Sequence, residues 1–390
     1  MSINYVPEID KASSDYYLAC HYFPGWNVHP NGYSGMADIV DFPERTPLIG
    51  YYDESNPEVL DWEIKWALEH GIQCFIYCWY RAFNNVGHPV TNDDLKLNHT
   101  LMARKSSRYG RMMDYAIMWE IDNAGGVADM SDVTENLVPF WCQEYFSDEN
   151  YLKIDGKPAL FVYDCRLRWN RQFTGTETLS DVLAAIDEKA KSLGLGGVHI
   201  MVEHRNKSTA LFDSYKKLGY RNSFAYCYHT EEPRPSQKTI IDTQIDIMSE
   251  HIKCDPYFPL LTCSQAWDPY PWYRHSHTPE QLKKMTRWKL TPENWKTLLE
   301  KVKNLADSMP SDALGHKMIV LDNWNEWCEG HYIAPHREGG FKYLQAVREV
   351  FTKRDNLPDY RTPHDQGFDG YNKSWRTPDF GEFCKKKLEE

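Results

Sequence analysis

Short runs of consecutive apolar residues alternate along the chain with segments in which apolar residues recur every three to four positions. Each continuous run ends in polar or aromatic residues, which is typical of strands buried on both faces of a parallel sheet. These runs predict eight strands: Tyr16–Phe23, Cys74–Tyr80, Tyr115–Glu120, Leu160–Asp164, Val198–His204, Ser223–His229, Leu260–Trp267 and Lys317–Asp322.

The segments with helical periodicity lie between these strands. They predict helices at Pro57–Glu69, Asn92–Arg108, Met130–Phe146, Leu179–Ser192, Thr209–Leu218, Ser236–Ile252, Pro292–Ala306 and Gly339–Thr352. Strict alternation of strand and helix predicts parallel strands joined by helical crossovers, in the α/β class. Eight such units predict a closed (β/α)8 barrel, or TIM barrel. No G-x-G-x-x-G motif follows the first strand, so the dinucleotide-binding fold is disfavoured.

The length of 390 residues is compatible with one barrel that has long βα loops. We therefore expect a single catalytic domain over residues 1–390, with a loop-rich tail at about 355–390 that packs on it. Within Tyr151–Leu160, the dipeptide Asp155–Gly156 predicts a β-hairpin.

Composition narrows the classes of partner. The net charge of −12 and the lack of a basic stripe disfavour a nucleic acid, and no apolar run is long enough to span a membrane. The 10 cysteines show no paired spacing and no signal peptide is visible, so we predict reduced thiols and a cytoplasmic protein. The 14 tryptophans and 25 tyrosines provide flat apolar faces that suit sugar rings, although many belong to the core.

Polar and aromatic residues gather where the predicted strands end. In a barrel, these carboxyl ends converge on one mouth. A single histidine or acid at a strand end is more often a cap or a loop anchor, but charged residues are rarely buried without a partner or a function. The predicted substrate-binding residues are His21, Tyr22, Trp26, Trp79, Tyr80, Trp119, Glu120, Asp164, Glu203, His204, Tyr228, Trp267, Asn325 and Tyr332.

Two glutamates, Glu326 and Glu329, follow the last predicted strand and are bracketed by tryptophans. Cleavage of a glycosidic bond needs an acid and a second carboxylate. On a helical turn, residues three apart lie roughly 5–6 Å from each other, close to the roughly 5–5.5 Å separation of retaining enzymes. Mutual repulsion would keep one of the two protonated. The alternative is a solvated loop with two ordinary glutamates.

The segment Asn323–Gly330, NWNEWCEG, resembles the E-W-x-E-G signature of the glycoside hydrolase family 99 endo-α-mannosidases. It is more similar still to their bacterial WbsX-like relatives. Further matches lie at His21–Trp26, at Asp61–Tyr80 and in the hairpin Tyr151–Leu160, so the resemblance covers nearly the whole chain.

The resemblance implies a barrel that acts on glycans without a metal or another cofactor. It implies that Glu326 is the base on the substrate's own 2-hydroxyl, giving a 1,2-anhydro-sugar intermediate, and that Glu329 is the acid/base. Endo-mannosidases of this type carry histidine where this chain has Cys328, so the sugar specificity stays open.

We therefore predict a retaining glycoside hydrolase with a poly- or oligosaccharide substrate. Two alternatives remain: a glycosyltransferase in surface-polysaccharide biosynthesis and a non-catalytic glycan-binding barrel. The transferase would need a nucleotide-sugar site, and we find no D-x-D motif at a strand end. A metal hydrolase is disfavoured because the H-x-H of His275–His277 lies deep in a predicted loop.

Overall fold

The computed structural model describes residues 6–26, 36–121, 124–163, 173–230, 232–368 and 371. Its central sheet contains eight parallel strands: β1 Tyr17–Tyr22, β2 Ile72–Arg81, β3 Asp114–Glu120, β4 Lys157–Tyr163, β5 His199–Glu203, β6 Asn222–Phe224, β7 Leu261–Ser264 and β8 Met318–Asp322. Hydrogen-bonded neighbours run in the order β6-β5-β4-β3-β2-β1-β8-β7. A parallel bridge between Ser223 and Pro259 joins the two ends, and the predicted barrel is confirmed.

Helices cover the outside of the barrel and follow the strands in turn. They are α1 Pro57–Glu69, α2 His99–Ser106, α3 Val138–Trp141, α4 Leu179–Ser192, α5 Phe212–Leu218, α6 Gln237–Cys254, α7 Pro292–Ser308 and α8 Lys342–Phe351. π-Helical segments flank α3 at Asp132–Leu137 and Cys142–Phe146. No helix in the described ranges combines the length and apolar character needed to cross a bilayer.

The helix predicted at Asn92–Arg108 is wrong in its first half. Asn92–Asp94 forms a single 3-10 turn, closed by a capping box between Thr91 and Asp94. The next two residues, Leu95–Lys96, pair antiparallel with the end of β2. The backbone thus gains sheet hydrogen bonds there, and α2 begins only at His99.

The strand predicted at Ser223–His229 is shorter than expected. After Phe224, side-chain hydroxyls of β7 replace the backbone partners: Thr262 Oγ1 accepts from the N–H of Ala225 at 3.2 Å, and Ser264 Oγ accepts from the N–H of Tyr228 at 3.0 Å. The segment is therefore held against its neighbour without ladder pairing.

Adjacent residues at the ends of the barrel strands face opposite sides of the wall, because side chains alternate along a strand. On β2, the Cys78 thiol lies 3.8 Å from the hydroxyl of Tyr226 in the barrel interior. Its neighbour Trp79 faces the helical layer, where its indole N–H donates to Tyr145 at 3.2 Å. Only one member of each adjacent pair can therefore reach the mouth.

The predicted hairpin is confirmed. Asp155 and Gly156 have φ values of 51° and 75°, as a two-residue turn of this kind requires, and Lys153–Ile154 pairs with the start of β4.

Of the predicted tail, residues 355–368 pack near α1, where Asn356 donates to the carbonyl of Glu69 at 3.0 Å. Residues 372–390 lie outside the described part.

Candidate active site

The two glutamates lie on a β-hairpin after β8, not on the predicted helical turn. Asn325–Glu326 pairs antiparallel with His331–Tyr332. The N–H of Gly330 donates to the carbonyl of Glu326 at 2.9 Å and closes the turn. Gly330 has φ of 78°, a conformation that glycine adopts readily. An added Cβ there would lie 2.8 Å from Asp268, so this position also needs the absence of a side chain.

Contacts with two loops fix this hairpin. Arg45 donates to the carbonyl of Trp327 at 2.9 Å and forms an ion pair with Asp268 at 2.9 Å. The N–H of Asp268, in the loop after β7, donates to the carbonyl of Glu329 at 2.6 Å. The backbone that carries both glutamates is thereby tied to its surroundings at several points.

Glu326 is the deeper of the two acids. It is 4% exposed, and the hydroxyl of Tyr226 donates to its Oε2 at 3.2 Å. The amide of Asn323 in turn donates to that hydroxyl at 3.0 Å. Burial raises the pKa of Glu326 well above its usual range, and the charge of Glu329 adds to this, while His331 and Tyr226 oppose it.

Glu329 belongs to a chain of three ionisable groups. Its Oε2 lies 3.0 Å from Nε2 of His331, whose Nδ1 lies 2.6 Å from Oδ1 of Asp322. The side chain of Glu329 is 17% exposed, whereas His331 is fully buried. Burial lowers the pKa of His331, but Asp322 and Glu329 outweigh it and raise that pKa to about 10. His331 is therefore an imidazolium at neutral pH and donates to both carboxylates.

The carboxylates are close enough to act on one bond. One oxygen of Glu326 and one of Glu329 lie within 4.8 Å of each other and of a His331 nitrogen. Ligand atoms of Cys227, Asp322 and His331 form a second group within the same limit. Either group has a spacing that suits a metal ion. Both nitrogens of His331 already lie at hydrogen-bond distance from carboxyl oxygens.

Four of the predicted residues surround this pair. His21 lies with its ring centroid 5.1 Å from that of Tyr226, and the ring of Trp267 lies 5.4 Å from that of His331. Burial raises the pKa of Tyr80, and the charges of Cys78, Glu120, Glu326 and Glu329 add to this. His21 and Trp267 therefore pack on the partners of the two glutamates, and Tyr80 and Glu120 lie within electrostatic reach of the pair.

Glu203 lies at the end of β5, in an ion pair. Arg205 donates to its Oε1 at 2.6 Å, to the hydroxyl of Tyr163 at 2.9 Å and to Nε2 of His229 at 2.8 Å. Because His229 packs against Trp267 at 4.5 Å between ring centroids, this group supports one side of the site.

A cavity of about 360 Å³ lies elsewhere, between residues 89–92 and 135–144.

The other predicted binding residues contact protein groups other than the carboxylates of Glu326 and Glu329. Tyr22 donates to Glu63, Trp26 donates through its backbone to Glu54, Trp79 donates to Tyr145, Trp119 packs on Trp141, His204 bonds the carbonyl of Ser208, Tyr228 bonds Ser264 through its backbone, Asn325 accepts from the N–H of Phe23, and Tyr332 packs on Trp327. Asp164 lies outside the described residues.

Three residues at the site were not among the predicted ones: Asp322, His331 and Tyr226. The sequence offered a signal for Tyr226. It is two residues before the predicted Tyr228, and residues two apart on a strand face the same side. For His331, the signal would have been a return strand after the glycine, since it then lies opposite Glu326. The pairing of Asp322 with His331 has no sequence signal beyond the presence of both.

The fold resembles that of known glycoside hydrolases. A structure of the GH99 endo-α-mannosidase from Bacteroides thetaiotaomicron in complex with bis-tris-propane matches with a TM-score of 0.59 and 14% identity, over 87% of this chain and 97% of the other. A structure described as a glycoside hydrolase-like protein matches with a TM-score of 0.58 and 16% identity, over 89% of this chain and 96% of the other. At these identities the likeness is one of fold.

Sequence relatives point to a bacterial family. The uncharacterized protein WxcX of Xanthomonas campestris pv. campestris (strain B100) is 20% identical over 358 residues, covering 82% of this chain and 44% of that protein. The chain thus spans less than half the length of this relative. The family model described as Glycosyltransferase WbsX matches residues 129–347. Because this match includes more than half of the chain, the protein belongs to the WbsX family.

Proposed function

We propose that the protein is a carbohydrate-active enzyme that hydrolyses a glycosidic bond in a poly- or oligosaccharide with retention of configuration. The observation that carries this proposal is the close approach of Glu326 and Glu329, whose carboxylate oxygens lie within 4.8 Å at the end of β8. Retaining glycosidases with a carboxylate nucleophile hold their two carboxyl groups at about 5–5.5 Å, whereas inverting enzymes need more room for a water. A route through the 2-hydroxyl likewise needs both acids at one sugar residue.

The environments of the two glutamates suit different roles. Glu326 is buried and its pKa is raised, so its ionised form is a strong base for the 2-hydroxyl of the substrate. The 2-oxygen then attacks the anomeric carbon and gives a 1,2-anhydro sugar. Glu329 is partly exposed and protonates the departing oxygen. In the second step, Glu329 takes a proton from the attacking water and Glu326 returns its proton to the 2-oxygen.

Aromatic and polar groups around the pair would bind the sugar. The partly exposed ring of Trp267 beside His331 offers an apolar face for a pyranose ring. Tyr80 and Glu120 would hydrogen-bond hydroxyl groups, and the ring of His21 packs on that of Tyr226. Burial lowers the pKa of His21 to about 4, so it would stay neutral during turnover.

The relatives support glycan chemistry. The structural matches include an endo-α-mannosidase. That enzyme and this protein share the barrel fold, which carries the glutamates here. The residue between Trp327 and Glu329 is Cys328, which is buried with its thiol 3.9 Å from Asp38.

A second candidate function is glycosyl transfer, and the family description favours it. The same carboxylate pair could pass a sugar to an acceptor hydroxyl in place of water. This enzyme would consume an activated sugar donor, so it differs from the hydrolase in the substrate that it uses.

A parallel screen separates the two. Purified protein is incubated with plant, yeast and bacterial polysaccharides and, separately, with nucleotide sugars, and products are followed by mass spectrometry. We expect released oligosaccharides, and NMR of the first product should show the retained anomer. Turnover of nucleotide sugars with no hydrolysis of the polysaccharides would establish transfer. A first product with inverted configuration would exclude the roles proposed for Glu326 and Glu329.

Replacing Glu329 tests its role as the acid. Glu329→Gln should lose about 10²–10⁴-fold in kcat/KM on a glycoside with a poor leaving group, while an activated aryl glycoside, which leaves without a proton, should be largely spared. Equal losses on both substrates would contradict the acid assignment.

A further inference from the structure

The acid Glu329 is not an isolated carboxyl group. One of its oxygens, Oε2, accepts a hydrogen bond from His331 at 3.0 Å, and its side chain retains 17% exposure toward the mouth. Nε2 of His331 is thus placed to pass a proton to this carboxyl group while the leaving oxygen takes one from it.

The groups that face His331 come from several elements. Acids approach it from β8 and from its own hairpin, while neutral groups approach it from β1 and from the segment after β6. These groups are Asp322, Glu326, Glu329, His21, Cys227, His229 and Tyr226. Burial lowers the pKa of His21 to about 4 and that of His229 to about 3, and it raises the pKa of Cys227. His331 is therefore the member of this set that carries positive charge, against three acids.

We propose that His331 is a positioning residue that stores the proton of the leaving group and passes it through Glu329, with Asp322 fixing the imidazole. The proposal rests on the hydrolase function proposed above and assigns a role to two residues that the glutamate motif does not contain. It explains why a fully buried histidine has a carboxylate on each side.

The protons balance over the two steps. When the bond between the anomeric carbon and the leaving oxygen breaks, its electron pair stays on the oxygen, which takes a proton from Glu329. Glu329 takes the Nε2 proton of His331, which becomes neutral and keeps its Nδ1–H on Asp322. Water then adds to the anomeric carbon as the bond between that carbon and the 2-oxygen breaks. The water loses a proton to Glu329, which returns it to His331, and Glu326 returns its proton to the 2-oxygen.

Asp322 sets the direction of this transfer. Its Oδ1 lies 2.6 Å from Nδ1 of His331, and its side chain is fully buried. The hydrogen bond to Asp322 keeps a proton on Nδ1 whether His331 is charged or neutral, so the proton that moves is the one on Nε2. Asp322→Asn should therefore weaken the transfer but leave both glutamates in place.

The first test is the variant His331→Gln, which keeps a hydrogen-bond donor but cannot hold an extra proton. On a glycan with a poor leaving group we expect a loss of about 10²-fold in kcat, with KM nearly unchanged and the alkaline limb of the pH profile altered. On a 2,4-dinitrophenyl glycoside the rate should stay within a few-fold. His199→Gln is the matched control. His199 also bonds a side chain, that of Asn222 at 2.7 Å, but it lies at the first residue of β5, at the end of the strand away from the mouth.

The outcomes separate this proposal from the proposed function. If Glu326→Gln is inactive but His331→Gln keeps full activity on the poor leaving group, the relay is excluded and the hydrolase stands. If Glu326→Gln retains full activity, the hydrolase mechanism itself is excluded. Equal loss in His331→Gln on both substrates would assign His331 a structural role and overturn the relay.

A second measurement needs no substrate and no folded His331 variant. In wild-type protein labelled with ¹⁵N-histidine, both nitrogens of His331 should keep imidazolium shifts up to about pH 9, since its pKa is raised to about 10. Glu329→Gln and Asp322→Asn should each lower this titration midpoint and so identify the signal. If no histidine signal stays charged above pH 8, the relay is excluded.

Discussion

The protein contains two glutamate pairs that look alike in composition and differ in setting. The mouth pair is Glu326 and Glu329, with a tyrosine donor and a histidine partner. The second pair, Glu54 and Glu63, lies outside the barrel wall beside β1 and α1. It also has a tyrosine donor, Tyr22, and a histidine partner, His99, and we call these groups the buried acid cluster.

The difference lies in the unused hydrogen-bonding capacity. Both glutamates of the buried acid cluster have fully buried side chains. Glu54 accepts from the N–H of Trp26 at 2.8 Å, from His99 at 2.7 Å and from the hydroxyl of Tyr22 at 3.2 Å. In the mouth pair, Glu329 is 17% exposed. Glu54 thus has several protein donors and holds structure together, whereas in the described part of the chain Glu326 and Glu329 each accept through Oε2, so that Oε1 of each is left for a substrate.

The two pairs are also connected. Burial and the charges of Glu63 and Glu54 raise the pKa of Tyr52, and its hydroxyl accepts from the indole N–H of Trp327 at 3.0 Å and from the amide of Asn325 at 3.4 Å. Trp327 and Asn325 flank Glu326 on the hairpin. The buried acid cluster therefore supports the backbone that positions the mouth pair.

The largest expected effect is on catalysis at the mouth pair. Glu326→Gln should lower kcat/KM by about 10³-fold or more on both poor and activated leaving groups, because it removes the proposed base, which both reactions would need. Its melting temperature should stay close to that of the wild type. Glu54→Gln, in the buried acid cluster, should keep most of the activity per folded molecule. Comparable losses in the two variants would erase the distinction.

The second effect is on stability at the buried acid cluster. Glu54→Ala should reduce the free energy of unfolding by roughly 3 kcal/mol, because a buried group left without its partner costs about 1–3 kcal/mol and Glu54 serves several. Urea denaturation measures this change. The control is Glu149→Ala at an exposed position, for which we expect a change within about 0.5 kcal/mol. An unchanged unfolding midpoint in Glu54→Ala would contradict the structural role.

A smaller effect is expected at the tyrosine of the mouth pair. The hydroxyl of Tyr226 lowers the pKa of Glu326 against the raising effect of burial. Tyr226→Phe should therefore raise that pKa further and move the acidic limb of the pH–rate profile to higher pH, with a loss of about 10-fold at neutral pH. Tyr151→Phe is the matched control, since its buried hydroxyl donates to the carbonyl of Ala159. The same profile in wild type and Tyr226→Phe would exclude this role.

The buried acid cluster also predicts a pH dependence of stability. Burial raises the pKa of Glu63 to about 8, above its value of about 4.3 in the unfolded chain. Between these values the folded state binds one more proton, so this group lowers stability by about 1.4 kcal/mol per unit as pH rises. Glu63→Gln should remove this slope. Parallel stability curves for wild type and variant between pH 5 and 8 would show that Glu63 is ionised in the folded state.

The sequence by itself determined the order of the elements. Apolar runs and helical periodicity are local, so the eight strand–helix units, the bounds of α1 and α4 and the turn at Asp155–Gly156 followed from neighbouring residues alone. Where a distant segment supplied backbone partners, as β2 does for Leu95–Lys96, the local pattern gave the wrong element.

The tertiary structure decided which strand-end residues meet. Tyr22 and Trp79 looked equivalent to His21 and Tyr80, but alternation along each strand sends one neighbour to the helical layer and the other to the interior. The hairpin after β8 brings His331 between Asp322 and Glu329. Proton affinity depends on such burial and on charges from separate elements, and these distances exist only once the barrel has closed.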